Sequence, residues 1–166
     1  SSVCSDGTLL YFSSSAGFFG RETAIDAEPV LLSSDDQLCG VTALTCEGGT
    51  LYCISGSSVH TISLADGSAA FTDYEIASAS DSVNRISEAS DTARAGDLLV
   101  TADTGNSRVS VFNFSTDSYT VIGCAAAPSL VATDGEIISY AAGAQVYTCD
   151  YAAGEREFTA AELSGD

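Results

Sequence analysis

The chain has 166 residues, 45% of them hydrophobic, with 15 Gly, two Pro and neither Met nor Trp, which suits one compact domain with its own core. Twenty-three acidic residues face five basic ones, all Arg, for a formal net charge of −18; nucleic acid and anionic membrane surfaces are disfavoured, because both are bound through Lys and Arg. No apolar run is long enough for a membrane-spanning helix, so the expected partners are neutral, cationic or metal-bridged.

The chain opens on Ser1-Ser2-Val3-Cys4, with neither an initiating Met nor a charged leader, and reads as a processed product or excised piece. In chain order, Gly7-Thr8-Leu9-Leu10-Tyr11-Phe12 is the first of four similar segments. Gly49-Thr50-Leu51-Tyr52-Cys53-Ile54, Gly96-Asp97-Leu98-Leu99-Val100-Thr101 and Gly135-Glu136-Ile137-Ile138-Ser139-Tyr140 follow at spacings of 42, 47 and 39 residues. Each places Gly and a polar residue ahead of an apolar strand. The period fits a four-stranded blade of a β-propeller.

The expected fold is therefore all-β, a propeller of four antiparallel four-stranded blades, either a small closed ring or a segment of a larger one. The blades span approximately 1–38, 39–82, 83–124 and 125–166. Within the first, Val3-Cys4-Ser5-Asp6-Gly7 occupies the place that Val131-Ala132-Thr133-Asp134-Gly135 takes in the fourth. The second blade reads as strands over 41–46, 50–55, 58–64 and 71–76, separated by Glu47-Gly48-Gly49, Gly56-Ser57 and Ala65-Asp66-Gly67, which are hairpin turn residues. The third carries extra polar residues at 87–95, read as an exposed loop. The fourth predicts strands over 129–133, 136–140, 145–149 and 157–161.

Six cysteines without C-x-x-C spacing point to disulfides and an oxidising compartment, and so to a secreted or cell-surface protein. They permit about 15 connectivities. The pairing expected from their places in the repeats is Cys4 with Cys46 between adjacent innermost strands, Cys39 with Cys53 and Cys124 with Cys149 inside their blades. Asn113-Phe114-Ser115 is an N-glycosylation sequon, meaningful only if the chain is secreted. The acidity reads first as a solvated surface; the sharper alternative is a Ca²⁺ site of converging carboxylates, without an EF-hand loop to support it. No other cofactor is expected.

One stretch is specific. The 14 residues from Leu99 to Phe112, with Asp103-Thr104-Gly105-Asn106-Ser107-Arg108-Val109 at their centre, resemble an NHL-type propeller repeat, and the rest of the chain matches the NHL-like or YVTN-like pattern only in outline. The resemblance implies a chiefly structural motif, in which Asp103 and Asn106 bond turn amides, Gly105 takes the left-handed conformation and Arg108 lies across the neighbouring blade. NHL-type rings usually have more blades than the four visible here.

Marks of catalysis are scarce. The single His60 stands in a strand pattern, no Gly-x-Ser-x-Gly elbow exists, and the acidic Asp26, Glu28, Asp35 and Asp36 fall in loops, where carboxylates are ordinarily solvated. The leading expectation is a non-catalytic extracellular structural, protein-interaction or assembly module whose partners are proteins or copies of itself. A glycan-binding propeller using Tyr52, Tyr74, Tyr119, Tyr140 and Tyr147 is the alternative, and a propeller hydrolase or lyase is the third.

Overall fold

The computed structural model describes residues 3–14, 16–22, 26–33, 41–56, 58–63, 70–75 and 85–161. It divides into two compact units, Ser1–Arg85 and Ile86–Asp166, and each holds two four-stranded antiparallel sheets. In the first unit, β1 (Val3–Ser5), β2 (Leu9–Ser14), β3 (Gly17–Glu22) and β4 (Val30–Ser33) form one sheet. The second sheet comprises β5 (Val41–Glu47), β6 (Thr50–Ser55), β7 (Ser58–Ser63) and β8 (Ala70–Glu75). The second unit contains β9 (Ala89–Ala95), β10 (Leu98–Asp103), β11 (Arg108–Asn113) and β12 (Ser118–Gly123), then β13 (Leu130–Thr133), β14 (Ile137–Ala142), β15 (Gln145–Asp150) and β16 (Thr159–Ala160). Strand order equals chain order in every sheet, so each is an up-and-down meander, as the repeat predicts.

The middle strands carry the longest apolar runs because both of their faces are covered. Residues Leu51 to Ile54 of β6 and all six residues of β10 are buried, whereas the outermost β12 shows mixed exposure. In the first unit Tyr11, Phe18, Leu44, Leu51, Cys53 and Ile62 share one core. In the second, Val100, Val109, Val111, Ile122, Ile138 and Tyr140 belong to another. The innermost strands of each unit lie side by side, β1 with β5 and β9 with β13.

The four repeat glycines occupy one structural place, the turn between the first and second strands of each sheet, with φ of 93° at Gly7, 76° at Gly49, 56° at Gly96 and 97° at Gly135. Only a residue without Cβ takes these angles cheaply. The equivalence of the first and fourth repeats extends to side chains. Asp6 Oδ1 accepts from the amides of Thr8 and Leu9, both at 2.8 Å, and Asp134 Oδ1 accepts from Glu136 and Ile137 at 2.9 and 2.7 Å. Ser5 and Thr133 hydroxyls accept from Gly7 and Gly135 in turn, each at 3.1 Å.

The expectation for residues 87–95 needs correction. They are not an inserted loop: from Ala89 onward they form β9, the innermost strand of the third sheet. Ala89 and Thr92 are buried, and three polar side chains of the strand bond within the unit. Thr92 Oγ1 donates to the Val100 carbonyl at 2.9 Å, Ser90 Oγ to the Ser129 carbonyl at 2.9 Å, and Asp91 Oδ2 accepts from the Val131 amide at 2.9 Å. Small side chains suit the crowded inner edge, so this strand carries little of the hydrophobic signal by which strands are read.

Candidate functional site

The most organised polar cluster surrounds Asp103, the last residue of β10. It has no exposed surface. Ser90 is a bulge residue in β9, since Ala102 faces Asp91 while Asp103 faces Ala89, and bulges re-aim the side chains beside them. A single 3-10 turn, Thr104–Asn106, then leads to Ser107 at φ 51° and ψ 49°. The carboxylate of Asp103 receives Arg108 Nε at 2.6 Å, the Ser87 amide at 2.7 Å, and Asn106 Nδ2 at 2.9 and 3.0 Å on its two oxygens. Ser110 Oγ adds a longer contact of 3.4 Å and shares a 2.8 Å bond with the Tyr119 hydroxyl. A buried carboxylate persists only when paired and hydrogen-bonded in this way.

Asp103, Gly105, Asn106 and Arg108 are thus brought together, with roles that differ in detail from the expected ones. The left-handed residue of the turn is Ser107. Gly105 serves a different need: a Cβ there would meet Ser87 Oγ at 2.6 Å and the Ser87 carbonyl oxygen at 2.9 Å, while its own amide donates to that carbonyl at 2.9 Å. Close approach of two backbone segments requires Gly here. Arg108 folds back onto Asp103 in its own sheet. The cluster fastens residue 87, the 3-10 turn and the start of β11; it presents no reactive group to solvent.

A second region was not singled out from sequence. On β4, the outermost strand of the first sheet, Val30, Leu31 and Leu32 are 62%, 50% and 42% exposed. No described strand pairs with the outer side of β4. Gly20 leaves room for Leu32, whose Cδ1 would lie 2.9 Å from a Cβ at that position. Beside them runs a groove of about 380 Å³ lined by Leu9, Gly20, Val30 and Leu32 with Glu22 and Glu28 at its margin. A run of adjacent exposed aliphatic side chains on an open strand edge is the kind of surface that proteins use for association.

The remaining candidates are scattered. His60 is buried on β7 opposite Cys53 and Asp73. Tyr140 is buried and stacks on Tyr147 with ring centroids 4.7 Å apart, Tyr52 is buried, and Tyr119 is half-buried; these rings pack rather than form an open platform. Tyr74 lies on β8, where side chains are outside the described residues, as are Cys39, Asp35 and Asp36. Asp26 and Glu28 are exposed. Among the described residues no three His, Cys, Asp or Glu side chains gather to hold a metal ion, and no helix is long and apolar enough to cross a membrane.

Five cysteines are described, all as free thiols. Cys46 Sγ reaches the carbonyl of Ser5, next in the chain to Cys4, at 2.8 Å, whereas Cys53 is buried in the same core with its thiol pushed up to about 12 by burial. In the second unit, burial raises Cys124 to about 11. Asn113 ends β11, and its Oδ1 accepts from the Ser115 amide and hydroxyl at 2.9 and 2.8 Å and from the Thr116 amide at 3.2 Å. The sequon therefore sits in the exposed β11–β12 hairpin.

No protein-family model matches the sequence, and no curated protein matches it either. Solved structures do resemble the fold. One from a nidogen/laminin complex is 14% identical with a TM-score of 0.69, over 92% of this chain and 60% of that one. The WD40 domain of Neurospora crassa Pan2 is 12% identical with a TM-score of 0.65, over 99% and 53%. Hydrazine synthase of Kuenenia stuttgartiensis is 19% identical with a TM-score of 0.56, over 73% and 35%. The chain spans 35% to 60% of these structures' own length. With four antiparallel four-stranded sheets in sequential order, it has a β-propeller fold, and each sheet is a blade.

Proposed function

We propose that the chain is a non-catalytic, extracellular propeller module of NHL-like type that binds a protein partner along β4. The carrying observation is the exposed trio Val30, Leu31 and Leu32 on a strand whose outer side no described strand pairs. A partner segment added there would gain backbone hydrogen bonds from the open edge and specificity from the flanking side chains. Covering what remains exposed of each aliphatic side chain would contribute about 1 kcal/mol before ordering costs. The net charge of −18 and the carboxylates of Glu22 and Glu28 beside the groove favour an extended partner segment in which basic and apolar residues alternate.

A structural neighbour from a nidogen/laminin complex supports a protein-binding reading, and the Asn113 sequon in an exposed hairpin supports an extracellular one. The test is photocrosslinking from p-benzoylphenylalanine placed at position 31 and, as a control, at position 121, in the protein's native fluid. Adducts at 31 to an extended basic segment of another protein are expected. Adducts from 121 with none from 31 would overturn the assignment, and adducts from 31 only to a second copy would replace the partner with self-assembly.

A further inference from the structure

The adjacency of Cys4 and Cys46 carries a second, independent inference. Cys4 is the central residue of β1 and Cys46 lies near the end of β5, and these innermost strands of the first two blades run side by side. Both side chains are half-buried against one apolar cluster. Cys46 Sγ donates to the carbonyl of Ser5, the residue after Cys4, at 2.8 Å, which brings it beside the backbone that carries Cys4. We propose that Cys4 and Cys46 form a disulfide that latches the first blade to the second, taken up by exchange with a small oxidised disulfide such as glutathione disulfide.

The chemistry balances in two steps. The Cys46 thiolate attacks one sulfur of glutathione disulfide, its proton passing to the buffer, and one glutathione thiolate departs. The Cys4 thiolate, its proton likewise lost, then attacks Cys46 Sγ and expels the second glutathione. Two protein thiols are oxidised and one glutathione disulfide is reduced to two thiols. Burial raises both protein thiols above the ordinary range, Cys4 more strongly, so exchange is slow at neutral pH and quickens as pH rises. The bond closes a long loop and restricts the unfolded chain accordingly.

The full reduced chain is equilibrated with glutathione and glutathione disulfide, remaining thiols are blocked with iodoacetamide, and peptides are mapped after cleavage at Leu44 and Tyr52, which separates Cys39, Cys46 and Cys53. A linked pair of peptides holding Cys4 and Cys46, lighter by two hydrogens, is expected, with a rise in Tm of roughly 10 °C over the reduced chain. Cys46→Ala should lose both the link and the rise, while Cys53→Ala should keep both. Alkylation of Cys4 and Cys46 after equilibration, a stable glutathione adduct on either, or pairing of Cys4 with Cys39 or Cys53 would overturn the proposal.

Discussion

The first and third blades share one strand order and differ in how they end. In the third, β10 is buried along its whole length, its terminal Asp103 gathers donors from Ser87, Asn106, Arg108 and Ser110, and Arg94 lies 4.3 Å over the Phe114 ring beyond. In the first, β4 leaves three consecutive aliphatic side chains in water. The middle strand of the third blade is closed over by polar and apolar groups of its own sheet, and its edge strand β12 exposes one large aliphatic residue, Val121, where β4 exposes three in a row. If β4 is the partner-binding strand proposed above, stability and recognition map to different blades, and substitutions should separate them.

The largest effect is expected at Asp103. Asp103→Ala removes the fully buried carboxylate that pairs with Arg108 and accepts from Asn106 and the Ser87 N–H, and urea unfolding should show a loss of about 3–5 kcal/mol. Gly105→Ala comes next. Its methyl would press on the Ser87 backbone as well as its hydroxyl, and overpacking of this kind costs about 1–3 kcal/mol; an unchanged unfolding midpoint would show that residue 87 gives way freely.

A smaller effect lies in acid. Hydrogen bonds from the amides of Leu9 and Thr8 lower the Asp6 carboxyl below the ordinary range, and those of Ile137 and Glu136 do the same to Asp134. The lowered groups stabilise the fold above the ordinary carboxyl value, and this contribution fades as pH falls through their folded values, because the unfolded chain takes up the protons first. Asn at both positions keeps an acceptor at every pH, so the double variant Asp6→Asn/Asp134→Asn should lose less stability than the wild type between about pH 5 and pH 2. Least of all, Leu31→Glu should shift stability by no more than about 0.5 kcal/mol, while removing the photocrosslinked partner when the probe is moved to position 30.

Much of the third blade was legible because its devices are local. Turn glycines recur at a blade's spacing, and an acid, an Asn and an Arg within six residues announce a cluster even though their partners do not. Ser87 was unreadable as the neighbour that makes Gly105 necessary, since that contact depends on the preceding segment folding back. β9 was misread for a related reason. Its Ala, Ser, Asp and Thr residues look like a solvated loop until the Val131 amide and the Ser129 carbonyl are placed beside them. The surface of β4 was missed in the opposite sense: Val30-Leu31-Leu32 in a sequence reads as a buried strand, and only its position at the sheet edge turns that run outward. The thiol pair was visible as two equivalent repeat positions, but its closeness follows from the lateral packing of β1 and β5.

The contrast between the enclosed middle strand of the third blade and the open edge strand of the first is tested most directly by amide hydrogen exchange on the free full chain, followed for peptides covering 29–33 and 98–103. Residues of β10 should exchange only through near-global opening, and those of β4 at least about 100-fold faster through local opening. Equal protection of the two segments would contradict the account, because it would mean that β4 is already held on both sides and has no edge to offer.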